Sequence, residues 1–171
     1  PKGLDGSLSL NGTYTRTDTR GLSGLDTVRL VDPTGASVVR SFGSPLAVVS
    51  HENEIQSGAT FNKPLGGWNL DATIDGTYTD TLSRTDRRAD SAALVAQATA
   101  GTLAIDGPLP PVADPGHDTA RARELDLAAA ATMAGSALTL PAGKTLLTFK
   151  AGYAYSHEQS SDTRDSGATV L

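Results

Sequence analysis

The sequence contains no cysteine, one tryptophan and one methionine, and only 5% of its 171 residues are aromatic. Without cysteine, a disulfide framework and a thiolate zinc site are both excluded. There is no run of about 18 apolar residues, so no transmembrane helix is expected. No charged-then-apolar opening is present, so no signal peptide is expected within these residues. Positive charge is in the minority: Lys+Arg number 14 against Asp+Glu 19, for a formal net charge of -5. An acidic chain with scattered arginines makes a poor non-specific nucleic-acid binder, so no nucleic-acid partner is expected. Hydrophobic residues make up 38%. That is below the roughly 45–50% of an average globular domain, although the average counts glycine.

What the chain has instead is Thr, Ser, Asp and Gly, arranged with a period of two. In the stretch from Ser7 to Thr17, Leu8, Leu10, Gly12 and Tyr14 alternate with Ser9, Asn11, Thr13 and Thr15. From Trp68 to Thr79, Trp68, Leu70, Ala72, Ile74, Gly76 and Tyr78 alternate with Asn69, Asp71, Thr73, Asp75 and Thr77. Leu147, Phe149, Ala151, Tyr153 and Tyr155 do the same against Thr148, Lys150, Gly152 and Ala154. A weaker version sets Ile55, Ala59 and Phe61 against Glu54, Gln56, Thr60 and Asn62. Successive side chains of a strand point to opposite faces. These segments therefore read as strands with one apolar and one polar face. Arg121 to Leu140 is ambiguous. Leu125, Leu127, Ala129, Ala131 and Met133 alternate as a strand would, yet alanine is the best helix former.

The connections come in two kinds. Leu65-Gly66-Gly67 and Leu140-Pro141-Ala142-Gly143 are tight turns, because glycine permits positive φ. The stretches of about 18–47 and 83–120 are long and hold turn chemistry: Asp32-Pro33-Thr34-Gly35, Pro108-Leu109-Pro110-Pro111 and Asp114-Pro115-Gly116. Val28 to Val31 and Ser37 to Arg40 fit a small hairpin within the first, and Asp90 to Thr99 a short helix within the second. Strands are thus expected at about 6–17, 48–63, 68–82, 121–139 and 144–158. Every tight turn falls at one end and every long loop at the other. The predicted fold is all-β: an antiparallel up-and-down meander forming an incomplete arc of a transmembrane β-barrel, with long loops on one rim.

The alternative is a soluble sandwich whose apolar face packs on a core. Three features favour lipid. The strands are long enough for the ~9–11 residues that cross a bilayer. Tyr14, Tyr78, Tyr153 and Tyr155 lie toward the long-loop end, and Phe61 and Trp68 toward the tight-turn end, like two interfacial girdles. Asp71, Asp75, Glu124 and Lys150 all fall on the polar face.

Three stretches resemble the barrel of a TonB-dependent outer-membrane receptor. They are Pro1 to Leu8 with its Thr/Tyr strand, Phe61-Asn62-Lys63-Pro64-Leu65-Gly66-Gly67-Trp68, and Leu138 to Tyr155 running into Ser156-His157-Glu158. With their strands they cover about half the chain. The resemblance implies energy-coupled uptake of a scarce ligand, a siderophore, corrinoid or oligosaccharide, through a barrel of about 22 strands with a plugged lumen. It implies residence in the outer membrane of a Gram-negative bacterium. The implied partners are membrane lipid, the rest of the barrel, a plug, and a TonB-type energy-coupling protein acting through that plug. No plug, coupling box or final aromatic strand is found, and the chain ends Ala168-Thr169-Val170-Leu171; it reads as an internal fragment.

No catalytic, cofactor or metal residue is expected, and no enzyme. His51, His117 and His157 have no second ligand at metal-like spacing. Gly21-Leu22-Ser23-Gly24 is not a nucleophile elbow. Asp86, Asp90, Asp106, Asp114 and Asp118 lack a calcium-loop pattern and read as solvated turn acids. Arg16, Arg20, Arg84, Arg87 and Arg88 read as a charged rim, or as contacts to an anion. A β-sandwich or β-solenoid module of a secreted adhesin is the rival reading.

Overall fold

The computed structural model describes residues 6–141 and 143–165. Its elements, in chain order, are β1 (Ser7–Val31), β2 (Ser37–Leu65), β3 (Trp68–Asp86), α1 (Ala92–Thr99), β4 (His117–Leu140) and β5 (Gly143–Asp165). The strands form one antiparallel sheet in the order β1-β2-β3-β4-β5. It is a meander in which β1 and β5 are the two edges, and it does not close on itself. Pro1 to Asp5, Ala142 and Ala168 to Leu171 lie outside the described residues.

The strands run further than their alternation predicts. β1 continues to Val31 and β2 begins at Ser37. The expected loop of about 18–47 is therefore mostly strand, closed by a five-residue turn at 32–36. The polar run from Asp18 to Ser23 offers no apolar face, which is why it reads as a loop. An antiparallel ladder needs only paired backbone groups, and the neighbouring strand supplies them. The second expected loop of about 83–120 is the connection between β3 and β4, shortened by strand at both ends and holding α1. The ambiguous segment is a strand throughout, His117–Leu140. Its helix preference is worth a few tenths of a kcal/mol per residue, which ladders to β3 and β5 on both sides outweigh.

Local chemistry explains the turns. Leu65 and Trp68 are joined by two residues, with positive φ at Gly66. That is the pattern of a II′ turn, whose twist matches that of the strands it joins. At the β1–β2 end, the Asp32 carboxylate accepts the Thr34 and Ala36 N–H groups at 2.9 Å and the Thr34 hydroxyl at 2.7 Å. Gly35 supplies the positive φ. The Thr34 hydroxyl, joined by the backbone N–H groups, holds the Asp32 carboxyl below the usual carboxylate value against the opposing effect of desolvation.

The chain divides into two compact units. The first comprises residues up to Thr17, Glu52–Thr81 and Ala122–Ser160. The second comprises Asp18–His51, Leu82–Arg121 and the residues from Ser161. The second has a small core: Val28, Leu30, Leu94 and Ala98 are buried, with Val38, Phe42, Leu103, Ile105, Leu109 and Val112 packed around them. Leu94 and Ala98 are four apart on one face of α1, which is how that short helix covers the β1–β2 hairpin. The Arg40 guanidinium donates to the Ile105 and Gly107 carbonyls at 3.0 and 2.7 Å, fixing the connection over the hairpin. The first unit has no buried residue among its described side chains.

Asp32→Ala is expected to speed amide exchange at Thr34 and Ala36 while leaving the sheet intact. In the unsubstituted chain the lowered carboxyl stabilises the turn above the ordinary aspartate range. That contribution is lost as the pH falls through the folded-state value. Exchange at Thr34 and Ala36, corrected for its intrinsic pH dependence, should therefore rise only on acidification. Amides that exchange identically in the variant would remove this role from Asp32.

Candidate functional site

The functional surface begins with the sheet of the first unit. Its register follows from a few contacts. The Asn62 amide donates to the Asp71 carboxylate, and Arg123 lies 3.7 Å from Asp80. A side chain at Gly58 would meet the Asn11 amide and the Asp75 carboxylate at 2.5 and 2.9 Å. Asn11, Gly58 and Asp75 therefore share a face, and the alternation puts Leu8, Leu10, Tyr14, Ile55, Phe61, Ile74 and Tyr78 on the other. Trp68 lies over Gly135, where any Cβ would strike the indole. Its ring centroid is 5.9 Å from that of Phe149. Gly76 faces Leu127, whose methyl would be 3.0 Å from an added Cβ. The apolar rows of all five strands are thus on one common face.

That face is uncovered. Leu10 is 73% exposed, Ile74 59%, Phe149 56% and Tyr153 67%. Burying a side chain of this size is worth roughly 1.5–3 kcal/mol, so the row is a large liability in water. The opposite face is polar and mostly acidic, with Glu52, Glu54, Asp71, Asp75, Glu124, Asp126 and Glu158 beside Lys150. Leu138 and Leu146 are the exceptions, large apolar side chains exposed on the acid-bearing face beside the β4–β5 turn. Trp68 and Phe149 stand together toward the β2–β3 turn, and Tyr78 lies further along β3, while Tyr153 lies beside Ile74. From Trp68 to Tyr78 the strand rises roughly 33 Å at ~3.3 Å per residue. A tilt of ~45° reduces that to about 23 Å, close to the ~25 Å apolar band of an outer-membrane barrel.

In the second unit the histidines, far apart in sequence, each find a cross-strand partner or neighbour. His51 pairs with Asp18, and His117 lies 3.5 Å from Asp165. In the first unit, His157 stacks on Tyr155 at 6.4 Å. Among the described residues no group of His, Asp and Glu is placed to hold a metal ion. Arg87 donates to the Pro115 carbonyl at 3.2 Å. Arg88 lies 3.7 Å from Asp26. Of the aspartates in the β3–β4 connection, Asp90 and Asp114 accept backbone N–H groups of Ala92 and Gly116. Asp118 lies 3.3 Å from Arg164.

Asp26 escapes sequence reasoning. Among the described residues it is the one buried charged side chain, 6% exposed. One oxygen accepts the Ala89 N–H at 2.8 Å and the other accepts the Thr27 N–H at 2.9 Å. It ties the start of the β3–β4 connection to β1. Beside it opens a concavity of about 550 Å³. Phe42, Leu109, Pro110 and Val112 give it an apolar side, and Arg84, Asp86 and Arg87 a polar one. Asp86 is itself engaged, accepting the Ala47 N–H at 3.0 Å. Only the register places these residues together, so no local pattern marks them in the sequence.

No protein-family model matches this chain, and no curated protein matches it.

Asp26→Ala strips the acceptor from two backbone N–H groups, a loss of about 1–3 kcal/mol for each that remains buried and unpaired. The connection from Arg87 to Gly116 should then open, cut faster by protease and exchanging faster at Ala89. Cleavage at the wild-type rate would show that Asp26 does not hold it.

Proposed function

We propose that this chain forms part of the wall of an outer-membrane transport barrel, of the kind that serves TonB-dependent uptake of a scarce ligand. One observation carries the reading. The first unit holds large apolar rows on a single common face and buries none of them, while its other face is lined with carboxylates. A sheet of that design needs hydrocarbon on one side and water on the other. A soluble adhesin sandwich would cover Leu10, Ile74, Leu147 and Phe149 with a second layer; here all four are exposed. The strands are 19 to 29 residues long, against the ~9–11 needed to cross a bilayer. The surplus forms the second unit, with its hairpin, helix-bearing connection and concavity, and this is where a ligand would be recognised. The reading assigns no catalytic step.

The edges define the partner. Unpaired backbone groups at β1 and β5 are not tolerated in hydrocarbon. With five antiparallel strands, β1 and β5 run in the same direction. Joining them directly, or joining copies of the sheet in the same orientation, would create a parallel pair. Antiparallel closure calls for an odd number of further strands, at least three to reach the smallest barrels of about eight. In a TonB-dependent receptor the remaining barrel wall supplies those strands, and the plug faces the acidic surface.

Ile74 tests the lipid-facing side. Ile74→Lys, assayed within the assembled barrel, should impair membrane insertion by ~2–4 kcal/mol at mid-bilayer, and Ile74→Asp by less. Thr73→Lys, on the opposite face, should be tolerated. Heat-modifiable assembly unaffected by Ile74→Lys would reject the lipid assignment. Loss of soluble yield without any membrane association would favour the adhesin.

A further inference from the structure

Resting on the reading above that the second unit recognises the ligand, we infer that its concavity beside Asp26 binds a neutral oligosaccharide. The site lies wholly within that unit. It forms where two strands depart from regular geometry. Gly24 takes a positive φ of 85° inside β1. Pro45, inside β2, brings no N–H to the ladder. Such departures mark bends or bulges that re-aim the side chains beside them. Ser44 and Pro45 line the concavity, and so does Asp26, two residues beyond Gly24. Residues 109–116 of the β3–β4 connection supply the rest of the wall. They are held on both sides. Arg40 donates to the Ile105 and Gly107 carbonyls, and Arg87 to the Pro115 carbonyl.

The charges select against an ionic ligand. Three carboxylates, Asp26, Asp86 and Asp114, line the concavity with two guanidinium groups, Arg84 and Arg87. An anion would meet the surplus of acids. A cation would meet acids that already accept backbone N–H groups. It would also meet Arg84, which is exposed and, among the described residues, has no hydrogen-bond or ion-pair partner. A wholly apolar ligand would strip water from these groups and return no hydrogen bond.

A neutral ligand rich in hydroxyl groups avoids all three costs. Its oxygens accept from the Arg84 guanidinium. Its O–H groups donate to Asp86 and Asp114, since a carboxylate keeps lone pairs to spare after one bond. Phe42, Leu109 and Pro110 offer an apolar surface to the C–H faces of a sugar ring. The volume, about 550 Å³, lies within the roughly 300–1,000 Å³ of small-molecule sites.

The test titrates the full chain in mild detergent with maltohexaose, xylohexaose and chitohexaose, and with hexagalacturonate as the charged counterpart. At least one neutral oligomer should bind, with an affinity that barely changes with salt, because no ion pair forms. Arg84→Met keeps an unbranched stem and removes the donors. It should weaken binding by about tenfold, the size of one lost charge-assisted contact. Ser44→Trp, which fills the concavity, should abolish binding. Both positions are exposed, so far-UV circular dichroism should match the parent. Failure of every neutral oligomer to bind, tighter binding of hexagalacturonate, or either variant binding as the parent does would each overturn the site. Quenching of Trp68 by brominated acyl chains, recorded in the same micelles, reads the membrane assignment separately. Quenched Trp68 without sugar binding rejects the site alone; sugar binding with unquenched Trp68 keeps the site and rejects the membrane reading.

Discussion

The first unit is a single layer of sheet with no second layer to cover its apolar rows. Everything else in the reading follows from that constraint. A backbone ladder satisfies its own polar groups and needs no core to do so. The side chains are another matter. Leu8, Leu10, Ile74 and Phe149 stand exposed on one face among the described residues, and water is a poor solvent for such a row. The acids on the opposite face make the reverse demand, since a carboxylate in hydrocarbon is far more costly than a leucine in water. The barrel wall proposed above would meet both demands at once.

The second unit obeys ordinary aqueous rules. Its hairpin and the β3–β4 connection bury a small core around Leu30, which is fully buried. Asp26 there is bonded to the Ala89 N–H and Asp32 to the Thr34 N–H.

Much of the architecture was legible from residues. The alternation in Trp68 to Tyr78 and in Leu147 to Tyr155 identified strands and their faces, because period two leaves no other regular structure. Leu65-Gly66-Gly67 identified a tight turn, because only glycine takes its positive φ freely. The extent of β1 and β2 was not legible. Asp18 to Ser23 carries no apolar face, and a ladder paired to a neighbour leaves no mark on such a run. The alanines of β4 were ambiguous for the opposite reason, since their propensity argues for one structure and their neighbours impose another.

The sequence by itself determined that this chain makes strands, which side chains share a face, and where it turns. Those properties depend on nearest neighbours and on glycine's freedom. Only the tertiary structure decided the register, and with it every pairing between distant residues. Asp18 meets His51 because hydrogen-bonded strands bring them level, and Asp26 meets Ala89 because the β3–β4 connection folds back onto β1. Such partners are dozens of residues apart in the chain, so no local pattern could join them. The tertiary structure also decided that the apolar rows of the first unit have no cover, since exposure depends on what packs against a face as well as on the face itself.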